Sequence, residues 1–385
     1  MSEFQFYGFR SIDRNLSKEE QRKIGSLSSR TTPSSNSATF VYHYGNFPAN
    51  EEAILEQYFD VMLYYANWGT RKVMFRLPIE AANYEDMVQY QQAFEDSYDN
   101  GVSIFKKGAH VIVKVEFNDE PDDYGEDPEE YFQEMTQWRQ LLMDGDNRLL
   151  FLAWLHTQSL ISLDEEYEDH EENSKSLPVP HIPHNITSLQ RTLKDFVNFF
   201  NISPDWINAA ANLVKQSPAP PDAPSYNYVK LIEQLPEATK NKYLYKLLHQ
   251  EVNLHLKLKN DLEELSGVVK PTKKLSKWTT EDLYNEVQEA KQETKRRAKK
   301  QAEEQARKKL VKLVADEPQL WKDTIFNIER FDRKGYENAT KNLKALLKVA
   351  KHLDKLDEYT TKLENIKANY SSKRSLIAML KEIVY

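Results

Sequence analysis

The chain has 385 residues, 52 Lys and Arg against 60 Asp and Glu for a net charge of −8, and no Cys. The missing Cys excludes disulfides, thiolate metal sites and cysteine nucleophiles together. No apolar run approaches the ~20 residues of a membrane span, and the first residues, MSEFQFY, have no basic flank before an apolar stretch, so no signal peptide and a cytosolic setting are expected.

With 21 Tyr, 17 Phe and 6 Trp, the chain has the large apolar side chains for real cores, and its length suits two or three domains. Residues 4–9 (FQFYGF) read as a first strand. Ser17, followed three residues on by Glu20, forms a capping box opening a short helix through Ile24 and Leu27. The β-branched and aromatic run 38–44 is a second strand. Ile54, Leu55, Tyr58, Phe59, Met62 and Tyr65 recur at helical spacing, which predicts a helix over 51–66 ended by Asn67-Trp68-Gly69. Residues 71–77 form the next strand, and 101–105 with 109–117, joined through Lys106-Lys107-Gly108, form a hairpin. Two amphipathic helices follow at 128–143 and 147–161.

These elements predict an α+β head over 1–163, with a mixed or antiparallel sheet covered by helices; a ferredoxin-like variant is one order consistent with them. An acidic, Pro-rich spacer over 164–184 should stay extended by carboxylate repulsion and Pro. A helical domain is expected over 185–265, with helices at 186–201, 204–216 and 228–262, the last interrupted at Pro236. Residues 217–225 read as a Pro-rich linker within it, and 266–278 as a linker after it. The rest is all-α: one long charged helix over 279–314, then helical hairpins over 315–385.

The long helix has no Gly or Pro, and its apolar line is Leu283, Val287, Ala290, Ala298, Ala302, Ala306, Leu310 and Leu313. Ala in its middle buries little area, so it is not a leucine-type coiled coil. Its cations, Lys295, Arg296, Arg297, Lys299, Lys300, Arg307, Lys308 and Lys309, read as a basic face toward nucleic acid or an acidic partner, with Lys373 and Arg374 as additions. The equally physical reading is a solvated spacer helix held by i,i+4 ion pairs. Charge is segregated: residues 116–172 hold 19 acidic and 2 basic side chains, residues 270–312 hold 14 basic and 7 acidic.

His43, Trp68, Arg71 and Arg76 bring aromatic and basic groups to strand ends and are the candidate lining of a pocket for an anionic ligand. His156, His170, His181 and His184 lie near many carboxylates, but the Pro-rich spacer does not fix their orientation, so no metal ligand set is assigned. The acidic stretch 118–130 lacks the ligand spacing of an EF-hand. No GxSxG, Walker A, GxGxxG or HExxH motif is present, so no catalytic residue and no cofactor is assigned.

Residues 8–20 (GFRSIDRNLSKEE), 27–30 (LSSR), 41–47, 58–78 with its ANWGTR run, 150–155, 334–346 and 372–380 resemble a bacterial family to which no activity is assigned. Asn15 stands where that family usually has Pro. The charged helix and closing segment are similar to the C-terminal region of bacterial SWIM zinc-finger proteins, whose zinc centre this Cys-free chain cannot form. The resemblance implies no catalytic residues and adds weight to a nucleic-acid or protein association. The sequence therefore predicts a non-enzymatic interaction or scaffold protein of the bacterial cytosol, with no membrane partner. The alternatives are a nucleic-acid accessory protein acting through the long helix, and an enzyme with a site in the head.

Overall fold

A computed structural model describes residues 3–94, 97–119, 127–167, 176–216, 226–268, 275–381 and 383. Its contacts divide the chain into two compact units, Met1–Lys291 and Gln292–Tyr385.

The first unit is built on seven strands: β1 Gln5–Arg10, β2 Ser37–Tyr42, β3 Val61–Ala66, β4 Thr70–Pro78, β5 Gln92–Phe94, β6 Ser97–Lys107 and β7 His110–Asn118. They form one sheet in the order β2-β1-β3-β4-β7-β6-β5, and every neighbouring pair is antiparallel. An α+β head on an antiparallel sheet, followed by a helical region with one long charged helix, is thus the architecture observed. The order is not ferredoxin-like. A split β-α-β would place a third strand between two parallel ones, whereas β1 and β2 are direct antiparallel neighbours despite the intervening helix.

Alternation along the strands gives the sheet two buried faces. On one, Phe6, Leu63, Tyr65, Val73, Phe75, Val113 and Val115 pack beneath α4 Pro128–Met143, α5 Arg148–Tyr167, α6 Arg191–Phe199 and α7 Pro204–Lys215. Trp138 of α4 is fully buried there, and its Nε1 donates to the Thr192 carbonyl at 2.7 Å. On the other face, Tyr7, Phe9, Phe40, Met62, Tyr64 and Met74 lie under α1 Lys18–Gly25 and α2 Glu51–Tyr58. The capping box of Ser17 and Glu20 opens α1 as expected.

Three expectations are corrected. The helix over 51–66 stops at Tyr58, and Val61–Ala66 is a central strand. All six of its residues are buried, so both faces are apolar and the period-2 signal vanishes into a run that also fits helical spacing. Asn67-Trp68-Gly69 is then the β3–β4 hairpin turn, with Gly69 at φ +113°. The spacer is not simply extended: its acidic start continues α5 to Tyr167. Its Pro-rich end places Val179 and Ile182 in the core, and Pro178 bridges to Thr279. Residues 168–175 of the spacer and the Pro-rich linker 217–225 lie outside the described residues.

The segment 228–262 divides into α8 Tyr228–Gln234, α9 Glu237–Leu248 and α10 Leu254–Leu265, broken at Pro236 and again at Gln250 and Asn253, both with positive φ. α11 spans Thr280–Ala315; Leu283 and Val287 near its start join the first unit's core. The second unit contains α12 Glu317–Glu329, α13 Arg333–His352, α14 Leu356–Asn369 and α15 Arg374–Lys381, around a core of Ile328, Tyr336, Leu343, Tyr359, Leu363 and Leu376.

Candidate functional site

The four residues expected to form an anionic-ligand pocket do not converge. Arg71 and Arg76 differ by an odd number of positions on β4, so they leave opposite faces of the sheet. Arg71, 6% exposed, lies over the rings of Tyr65 and Phe199 at 5.8 and 6.0 Å. Arg76 turns to the other face, where Nη2 donates to Asp60 Oδ1 at 2.6 Å and Nη1 to the Glu56 carbonyl at 2.9 Å. His43 is exposed, with Nδ1 3.3 Å from the Glu3 carbonyl. Trp68 is 42% exposed and donates from Nε1 to Thr70 Oγ1 at 3.0 Å.

A buried ionic cluster lies around Asp60 instead. Asp60 is fully buried and accepts from the backbone N–H groups of Ile12 and Asp13 at 2.6 and 2.9 Å, in addition to Arg76. Arg139 of α4, 2% exposed, holds Asp13 through both oxygens at 3.0 and 2.6 Å and donates from Nε to the Arg76 carbonyl at 3.0 Å. Asn253 Nδ2 reaches Asp13 Oδ2 at 3.0 Å. Burial pushes the Asp60 carboxyl up, but the Arg139 charge, the two backbone N–H groups and Arg76 outweigh it and hold the pKa below the usual range. The cluster ties β3, β4, α4 and the turn before α10 together. Its hydrogen bonds each join one structural element to another.

His156 of α5 is 3% exposed with the Phe117 ring edge-on at 4.5 Å. Burial, then the Arg71 charge, pushes its pKa down to about 4, so the imidazole is neutral at pH 7. Nε2 lies 3.7 Å from Asp119 Oδ2, beyond hydrogen-bond range. His181 donates its backbone N–H to Gln89 at 2.8 Å and His184 is exposed, while His170 and residues 120–126 of the acidic stretch lie outside the described residues. Among the described residues no group of three or more His, Asp or Glu is placed to hold a metal ion.

The cations of α11 are exposed, but they do not form one face. At about 100° per residue, Lys295, Arg296 and Arg297 alone point in three separate directions. Arg297 and Arg296 pair with Glu293 at 3.0 and 3.8 Å, and Lys308 with Glu304 at 2.7 Å. Beyond Ala290 the apolar line thins: Ala302 and Ala306 are exposed, while Leu310 and Leu313 are half-buried. Lys373 stacks over the Phe331 ring at 4.4 Å, and Arg374 is exposed.

The least ordinary surface is one the sequence did not single out. α9 buries no residue. Its half-buried, inward side is formed by Thr239, Lys240, Tyr243 and Lys246, with Tyr243 donating to Asp261. Its outward side exposes Leu244 by 59%, Tyr245 by 63%, Leu247 by 63% and Leu248 by 81%. The helix is inside out relative to the usual amphipathic arrangement. Spacing alone shows that apolar residues share a face, and not which way that face turns. Comparisons of the chain with protein-family models, curated proteins and solved structures find no match.

Proposed function

We propose that the chain is a non-enzymatic protein-interaction or scaffold protein of the bacterial cytosol, with α9 as its docking element. The observation that carries this reading is the outward apolar side of α9. Burying a large aliphatic or aromatic side chain is worth about 1.5–3 kcal/mol, so these four residues at roughly two-thirds exposure represent about 4–8 kcal/mol of gross stabilisation left unused. Exposed apolar surface of this kind marks interaction sites. Within residues 237–260, Lys246 is turned inward and pairs with Glu251 and Lys240 is half-buried, which leaves Lys242, Lys257 and Lys259 exposed against Glu237. The occupant that fits is therefore an apolar helix face with an acidic rim on another protein. A second copy of this chain would bring like charges together.

The test is to identify proteins retained from a cell extract, purify them and titrate each against wild type and Leu244→Ser/Leu248→Ser. The expected result is one acidic-rimmed partner whose affinity falls about 30-fold, roughly 2 kcal/mol, with the melting temperature unchanged. A monomer–dimer equilibrium abolished by the same substitutions identifies a second copy as occupant and defeats the reading. Turnover of a nucleotide or nucleic acid by the purified chain, lost on one substitution in the head, defeats its non-enzymatic part. A nucleic-acid role through α11 has less support, since its cations encircle the helix and three of them pair with Glu293 and Glu304.

A further inference from the structure

We propose that α13 carries a binding surface for the phosphate backbone of nucleic acid, separate from the α9 docking element and lying in the second unit. Gln292–Tyr385 holds 23 Lys and Arg against 14 Asp and Glu, within a chain whose net charge is −8. The excess is directional on α13. Lys334, Lys341, Lys344, Lys348 and Lys351 are all exposed. At about 100° per residue they fall within one sector about 100° wide. The other residues of that sector are Arg333, Glu337 and His352, so it contains no apolar side chain. Glu337, its one acid, is already paired with Arg333 at 3.1 Å. Among the described residues none of the five lysines has an ion-pair partner.

The opposite side of the helix supplies the unit's core through Tyr336, Ala339, Leu343, Leu346, Leu347 and Ala350. That core fixes which way the lysines point. From Lys334 to Lys351 the stripe runs about 26 Å at 1.5 Å per residue. A line of unpaired cations of that length matches a linear polyanion. It lacks the apolar centre of a protein interface. It also lacks what a membrane-surface helix needs, because the apolar side that would enter the lipid is already buried within the unit.

The experiment titrates the full chain against fluorescent probes, a duplex DNA of about 20 base pairs and a single-stranded RNA of about 20 nucleotides, between ~50 and ~200 mM salt. Five phosphate contacts predict a slope of log K on log salt near −4.5 for the duplex. Lys341→Gln/Lys344→Gln/Lys348→Gln is expected to reduce that slope by about 3 and to weaken binding at least ~30-fold at the lowest salt. These side chains are exposed, so the melting temperature should not move. Lys295→Gln/Lys299→Gln/Lys300→Gln on α11 should stay within about 3-fold of wild type. Tighter binding of one probe assigns the duplex or the single strand as the natural source of the phosphates. The proposal is overturned by no salt-dependent binding of either probe, by wild-type binding in the α13 variant, or by an equal loss in the α11 control. Binding to phosphatidylserine vesicles without binding to either probe overturns it too. The α9 leucines are intact throughout, so neither result bears on the docking reading.

Discussion

Arg139→Met is the sharpest probe of what fixes the head. Arg139 is buried at the junction of α4, β4 and the β1–α1 loop, and its guanidinium serves Asp13 twice and the Arg76 carbonyl once. Removing one partner of a buried pair costs about 3–5 kcal/mol because the other charge stays behind. Asp13 retains 17% side-chain exposure and the Asn253 amide, which favours the lower end, about 3 kcal/mol. Leaving the Arg76 carbonyl unpaired adds about 1 kcal/mol. The expected loss is therefore about 4 kcal/mol, a large share of the 5–15 kcal/mol typical of a domain. Urea unfolding followed by tryptophan fluorescence reads it, since five of the six Trp (68, 138, 154, 206 and 278) belong to the first unit. Adding Asp13→Asn removes the stranded charge and should restore about 1–2 kcal/mol. The pH dependence supplies a second readout. The Asp60 pKa is depressed in the fold, so its stabilisation is present above the unfolded value near ~3.9 and is lost as pH falls. Arg139 is the largest of the groups lowering it, so the gap between wild type and Arg139→Met should narrow below about pH 4. A loss under about 1 kcal/mol, or a gap constant down to about pH 3, would refute the cluster as a cooperative unit.

The remaining predictions concern single positions. His156 stays neutral in the fold down to about pH 4, while the unfolded chain takes up a proton below about 6.5, so protonation favours unfolding as pH falls between those values. At about 1.4 kcal/mol per unit this removes about 3 kcal/mol, and His156→Gln should unfold in urea without that part of the slope; an unchanged slope rejects the assignment. Gly335 in α13 has no room for a side chain, because an added Cβ would overlap the Asn327 backbone carbonyl, which cannot swing aside. Gly335→Ala should cost the second unit about 2–3 kcal/mol, read from Trp321 fluorescence during melting, and a neutral effect would show that α12 and α13 are not packed this closely.

Elements with a local chemical mark were legible in the sequence. The Ser17–Glu20 capping box and the hairpin turn at Lys106-Lys107-Gly108 are specified by neighbours a few residues apart, and both are found. β3 carries no such mark, because a strand buried on both faces has no polar side to reveal its period. Val179 and Ile182 are core residues hidden in a segment whose composition, dominated by Pro and acidic neighbours, is that of a spacer. The candidate pocket failed for a geometric reason: proximity in sequence along a strand says nothing until parity is counted, and Arg71 and Arg76 have opposite parity. α9 falls within the helical segment 228–262 expected from the sequence, but helical spacing does not say which way an apolar side faces, so its outward leucines carry no local mark.

Charge shows the same distinction between amount and direction. α11 has the densest run of cations in the chain, which is what makes it conspicuous as a sequence. Charges spread around a helix present only a fraction of their number to any one partner, and its Glu293 and Glu304 offset part of that fraction. α13 has fewer cations, interleaved with Leu and Ala, and its apolar residues are what force the lysines onto one side. Nor does the acidic net charge of the whole chain argue against a phosphate-binding stripe. At physiological ionic strength the Debye length is ~8 Å, so a polyanion responds to the charges within about that distance and not to the sum over 385 residues. The salt slope of the α13 variant against that of the α11 variant therefore tests direction separately from amount, since each set of substitutions removes the same number of positive charges.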